Sequence, residues 1–228
     1  MWFYLSMNSR HPGGTELATV PKTVLTDHQG IVTQVVPDTP LPPPPGVPAE
    51  ATAIAAAWAD SIRQLFGAGS VGVLVVDAVF AIGAGATVRL RQEIDSIRVY
   101  GASVAQSLDA AGALLSVTGA LAQQSRGAFP PGAAAPTPDA ARTARQALAS
   151  RANAPVEQFT ASTVLPVWYD PKLAAQDAAP SVAVPAYLVE VNGDGHGRQP
   201  ELWVVFVDAT DTGRVLDSWS ETKHFDHH

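Results

Sequence analysis

Apolar and polar residues along this chain follow two periods, and the switch between them outlines its elements. Ile54, Trp58, Ile62, Leu65 and Phe66 recur at spacings of three and four, with Glu50, Asp60 and Arg63 elsewhere. This spacing predicts an amphipathic helix over Ala49–Phe66. Pro48 suits a first helical position, Glu50 favours the N-terminal end of the dipole, and Gly67 is a natural stop. A β-rich run, Val73–Val76, follows. The period then falls to two: Val88, Leu90, Gln92 and Ile94 alternate with Arg89, Arg91, Glu93 and Asp95, which predicts a half-buried strand. Asp95-Ser96 turns it back into Ile97–Leu108, and Asp109 to Gly112 turns again into Ala113–Val117. The expected unit is an antiparallel meander packed on a helix.

The second half repeats this order. Thr137 is expected to cap a helix that begins at Pro138 and runs to about Ser150. Strands are expected at Thr163–Tyr169, Ala186–Val191, Glu201–Asp208 and Arg214–Trp219, the last three joined by the turns NGDGHG (Asn192 to Gly197) and DATDTG (Asp208 to Gly213). Helix then antiparallel sheet, twice, predicts an α+β chain of two small domains, each a helix on an antiparallel β-sheet.

Proline and glycine place the boundaries. Asp38 to Pro48 (DTPLPPPPGVP) holds six prolines and reads as an extended polyproline segment. Residues 1–47 are therefore expected to form an extended, loosely attached arm. Phe129 to Pro138 (FPPGAAAPTP) reads as a linker. The expected organisation is a first domain at 48–129, a linker at 130–138, a second domain at 139–223 and a tail at 224–228.

Composition removes several function classes. Of 228 residues, 21 are acidic and 14 basic, a net charge of −7 with no basic run, so no nucleic-acid partner is expected. The chain has no cysteine, which excludes disulfides, zinc–thiolate sites and cysteine nucleophiles. The apolar stretch Val71–Val88 is broken by Asp77, Gly83 and Gly85, and a bilayer span needs about 20 apolar residues. No membrane partner is expected. Met1 to Leu5 (MWFYL) is apolar but has neither the basic flank nor the length of a signal peptide.

Three motifs invite chemistry and do not support it. Gly67 to Gly72 (GAGSVG) spells G-x-G-x-x-G, but a helix precedes it and a β-rich run follows, the reverse of what a pyrophosphate site requires. Asn192, Asp194 and His196 stand at the first ligand spacings of a calcium loop, yet the twelfth position is Trp203 where a bidentate Glu is needed; a hairpin turn is expected there. His224 and His228 would share a helix face, but no Glu stands between them as in H-E-x-x-H. No G-x-S-x-G elbow occurs. No catalytic residue, cofactor site or metal site is expected, and the chain is read as a non-enzyme.

Two strings carry more. Val88 to Leu121 resembles the fungalysin/thermolysin propeptide (FTP) domain: a strand ending in Gln92, Val99 with Gly101, an Asp109-x-x-Gly112 turn, and Val117 with Gly119. Ala186 to Trp219 resembles a PepSY domain through Tyr187 to Val189, Val207 to Ala209, Thr212-Gly213, and Val215, Leu216 and Trp219. Leu165 to Pro171 is similar to that family's preceding strand. Ser96 departs from the glycine common in the first hairpin, and the VDATDTG turn is one residue longer than usual. No H-E-x-x-H occurs anywhere in the chain, so the resemblance implies the proregion without its enzyme.

FTP followed by PepSY is the arrangement of proregions in thermolysin-like zinc metallopeptidases. The resemblance implies a non-catalytic chaperone and inhibitor whose partner is such a peptidase's catalytic domain, and a secreted or cell-envelope location. The alternative is a stand-alone PepSY-type envelope or extracellular binding module with no protease partner; a fragment of a truncated precursor is a third reading. If the tail after Trp219 lies in a protease cleft as an added strand, Phe225 is its candidate for a specificity pocket. His224 could then approach the catalytic zinc in its neutral form, above roughly pH 6.5. The opposing expectation is a chain end with no partner.

Overall fold

In the computed structural model the described residues are 17–69, 71–132, 137–175, 181–193 and 201–221. They form two compact units. The first holds the described residues up to Arg91 together with Ser103–Leu121, and the second holds Gln92–Ala102 with the described residues from Ala122 onward. Helices and largely antiparallel strands make up both, an α+β architecture.

In the first unit, helix α1 (Ala51–Leu65) buries Ile54, Ala55, Trp58, Ala59 and Ile62, the stripe that the spacing predicts. Pro48 is not its first residue: Glu50 occupies the N-cap in extended conformation, two positions later, without a side-chain cap bond. The helix does stop at Gly67, whose φ of +74° no branched residue adopts cheaply. The Gly67 N–H donates to Gln64 O and the Ala68 N–H to Arg63 O, the paired bonds of a glycine-ended helix.

Strand β1 (Lys22–Thr26) pairs with β2 (Val32–Pro37), and β2 pairs with β6 (Leu114–Ala120). This hairpin lies in the segment expected to be a loose arm. Leu17 and Val35 are fully buried there and Leu41 nearly so, in the cluster that α1 also enters. Burial of three such side chains is worth roughly 1.5–3 kcal/mol each. Beyond it come β3 (Val73–Ile82), β4 (Gly85–Ile94) and β5 (Ile97–Leu108), with β3 paired to β4 and β4 to β5. The expected run Val73–Val76 is thus the first part of a ten-residue strand.

In the second unit, α2 (Pro138–Ala152) has Thr137 as its N-cap, the hydroxyl accepting from Asp139 N at 3.4 Å, and Asn153 in left-handed conformation at its end. Strands β7 (Phe159–Tyr169), β8 (Val184–Gly193), β9 (Glu201–Asp208) and β10 (Val215–Ser220) follow in antiparallel order, with the short α3 (Pro171–Ala175) after β7. Val99 of β5 pairs with Trp168 in parallel. Both faces of this sheet are apolar. Tyr187, Val189, Val191, Val205 and Val207 pack with α2, while Val167, Tyr169, Leu188, Val204 and Phe206 pack with Tyr100, Ala174 and Trp219.

A register shift in β10 serves this two-sided sheet. Val215 lies opposite Val207 but Asp217 lies opposite Phe206, so Leu216 is an extra residue. The bulge sends Val215 to the α2 side and Trp219 to the other.

Candidate functional site

His224 and Phe225 lie outside the described residues, as do His227, His228 and the rest of the tail from 222 onward. Asn192 is exposed near the end of β8, whereas Asp194 and His196 are outside the described residues. Residues 133–136 of the expected linker are also outside them. The glycine string after α1 is tied down by Arg63, whose guanidinium donates to Gly72 O at 2.7 Å. Among the described residues, no group of three or more His, Cys, Asp or Glu side chains is placed to hold a metal ion. Nor is any described helix long and apolar enough to cross a membrane.

The residues that carry the FTP-like string each have a structural task. Gln92 is fully buried and grips one residue at both ends of its amide: Nε2 donates to Ala122 O at 3.1 Å and Oε1 accepts from Ala122 N at 2.8 Å. The side chain thereby acts as a strand neighbour for Ala122, whose backbone groups are otherwise sealed from water. Gly101 has φ +76°, and a Cβ there would press on the Leu173 carbonyl. Gly119 has φ +152°, and a Cβ would collide with the Ser103 carbonyl. Asp109 closes the turn into β6, its Oδ1 accepting from Ala111 N at 2.9 Å and Ala113 N at 2.8 Å.

The PepSY-like string is organised around Asp208. Its Oδ1 accepts from the Thr210 N–H at 2.8 Å, the Thr210 hydroxyl at 2.6 Å and the Asp211 N–H at 3.3 Å. Arg214 stands 3.4 Å from Oδ2. Burial opposes the charge, but these donors outweigh it and hold the carboxyl below the ordinary aspartate range. The long turn is also tied to α2, with the Thr143 hydroxyl donating to Thr212 O at 2.6 Å. On the opposite sheet face, the Tyr169 hydroxyl donates to Asp217 Oδ2 at 2.7 Å. Phe206 is there ringed by Tyr100, Tyr169 and Trp219 at centroid distances of 4.9, 4.5 and 5.2 Å.

One surface was not anticipated from the sequence. Strand β3 pairs with β4, and among the described residues its other backbone edge has no strand partner. Its distal half exposes Val79 at 45%, Phe80 at 50% and Ile82 at 63%. Asp77 alone carries charge on this strand and is bound by Arg89 and Arg91, at 2.6 and 3.0 Å. The Arg91 hydrogen bond, with help from Arg89, keeps its carboxyl low despite desolvation. The signal was the string VLVVDAVFAI itself, ten residues with a single charge. An edge with apolar side chains is binding geometry: open N–H and C=O groups can pair with an incoming strand.

No family model matches the chain. It is 34% identical over 136 residues to a zinc metalloproteinase of Renibacterium salmoninarum. Those residues are 59% of this chain, and the match spans only 23% of that protein. Among solved structures, the C-terminal domain of YpeB from Bacillus megaterium aligns with 89% of this chain and 76% of that chain. The identity there is 12% and the TM-score 0.34, a likeness too slight to carry an argument. More than half of the chain is thus similar in sequence to part of a zinc metalloproteinase.

Proposed function

We propose that this chain is a proregion-type module of a thermolysin-like zinc metallopeptidase, assisting its folding and then covering its cleft, and itself non-catalytic. The observation that carries this is the 34% identity over 136 residues to less than a quarter of a zinc metalloproteinase. A large secreted protease can be trapped on its folding pathway, and a template complementary to its native cleft lowers that barrier and afterwards blocks substrate. The same reading puts the chain outside the cell or in the envelope. It assigns the contact with the cleft to His224 and Phe225 in the tail.

The test compares inhibition constants against a thermolysin-like peptidase for the full chain and for a chain ending at Glu221. That end point keeps β10 whole, including the Glu221 N–H bond to Leu202 O at 2.8 Å. Inhibition at least about tenfold weaker in the shorter chain, equivalent to about 1.4 kcal/mol, supports the tail contact. Equal constants remove His224 and Phe225 from it. A full chain that neither inhibits such a peptidase nor speeds its refolding overturns the reading altogether.

A further inference from the structure

Strand β5 alternates strictly in its second half: Ala102, Val104, Gln106 and Leu108 are buried, while Ser103, Ala105 and Ser107 are half-buried. Period two thus carries a primary amide onto the apolar face, between Val104 and Leu108. Gln106 is fully buried there, and its Nε2 donates to Ala55 O of helix α1 at 2.9 Å. Its Oε1 is sealed from solvent and meets no donor among the described residues. Exchanging the two ends of the amide does not repair this. Oε1 would then face the Ala55 carbonyl, acceptor against acceptor, and the bond from Nε2 would be lost.

Trp58 of α1 is 2% exposed, and its Nε1–H, likewise sealed, meets no acceptor among the described residues. Helical side chains lean toward the N-terminus, onto the turn three and four residues before their own. For Trp58 that turn holds Ile54 and Ala55, and Ala55 is the residue whose carbonyl takes the Gln106 amide. A donor and an acceptor, both buried and both unsatisfied, therefore share one turn of α1. Ala55 brings only a methyl group to that place. A direct bond between indole and amide oxygen would satisfy both atoms, and the structure has none.

We infer that α1 and β5 hold one internal water molecule, which accepts from the Trp58 Nε1–H and donates to Gln106 Oε1. Polar partners on both sides hold water in a protein interior, whereas apolar cavities stay dry. Immobilising one water costs less than leaving two buried polar atoms unpaired. The water completes a run of bonds from the indole through the Gln106 amide to the Ala55 carbonyl, fastening strand to helix inside the first compact unit. It is a property of that unit's core, so it stands whether or not the proregion reading does.

NMR of the full chain tests it, through magnetisation transfer from water to the Trp58 indole proton. That resonance is identified by its loss in Trp58→Phe. The expected result is a rotating-frame Overhauser peak from water, of sign opposite to the diagonal, which separates it from chemical exchange. In Gln106→Leu the acceptor is gone and the peak should disappear. No Overhauser peak in the parent chain overturns the proposal, as does a peak that survives in the Leu variant. If either variant does not fold, a crystal structure of the parent chain decides. A water oxygen within roughly 2.7–3.2 Å of both Nε1 and Oε1 supports the site, and none, or one touching a single partner, overturns it.

Discussion

Replacing Gln92 by leucine removes two hydrogen bonds while keeping an apolar side chain of similar bulk in a fully buried position. Ala122 is itself 0% exposed, so its N–H and C=O lose their partners without gaining water. A buried orphan of this kind costs about 1–3 kcal/mol, so the pair costs about 2–6 kcal/mol. Domain stabilities run about 5–15 kcal/mol, which makes this a large fraction. Urea unfolding reads it directly: at a slope of about 2 kcal/mol/M the midpoint falls by roughly 1–3 M. The Ala122 amide should at the same time lose its protection from hydrogen exchange. Gln92→Glu refines the reasoning, because Oε1 still accepts from Ala122 N while the other oxygen faces the Ala122 carbonyl. Burial and that carbonyl would raise the Glu pKa, so this variant should lose stability as pH rises through the raised value. A midpoint shift below about 0.3 M in the leucine variant, with Ala122 still protected, would refute the argument.

Two further outcomes follow from backbone geometry and from charge. Asp95 and Ser96 both sit at positive φ, +51° and +63°, in the two-residue turn between β4 and β5. Ser96→Gly relieves a left-handed conformation that costs a non-glycine residue roughly 1–2 kcal/mol, and urea unfolding should show a gain of about 1 kcal/mol; a loss would contradict it. Asp208, whose carboxyl is held low, adds stability that is present above its unfolded pKa and disappears as pH falls through its lower folded value. Asp208→Asn should therefore be less stable than the parent at pH 7 and lose less on acidification below about pH 4; parallel acid-unfolding curves would contradict this.

The parts of the fold that were legible had local chemistry agreeing with period. α2 was marked by a hydroxyl cap and a proline at its first position, and β4 by strict alternation up to the Asp95-Ser96 turn. The β1–β2 hairpin was missed although its signal was present. Asp27 closes it as Asp109 closes the β5–β6 turn: Oδ1 accepts from the N–H groups two and four residues on, Gln29 and Ile31, at 2.8 and 2.9 Å. The glycine three residues on has φ +80° in one turn and +79° in the other. The proline run beside the hairpin predicts an extended arm, an expectation drawn without regard to this Asp-x-x-Gly turn. Gln92 could be read as a motif residue, but its partner could not, since Ala122 lies thirty residues away and has no distinguishing side chain. The exposed end of β3 was illegible for another reason: past Asp77 its residues do not alternate, so period says nothing about which face is wet.

Strand β3 has a consequence for the protein in concentrated solution. An edge ten residues long, apolar apart from one aspartate and without a strand partner among the described residues, is a template on which a second strand of the same sequence can stack. Asp77 interrupts that template near its middle, and the two arginines that keep it ionised also keep charge on the neighbouring strand. The ion pairs contribute little to folding at such exposure. Their larger effect is colloidal: the trio acts as a gatekeeper against fibre-like association, and high salt, by screening it, weakens that guard.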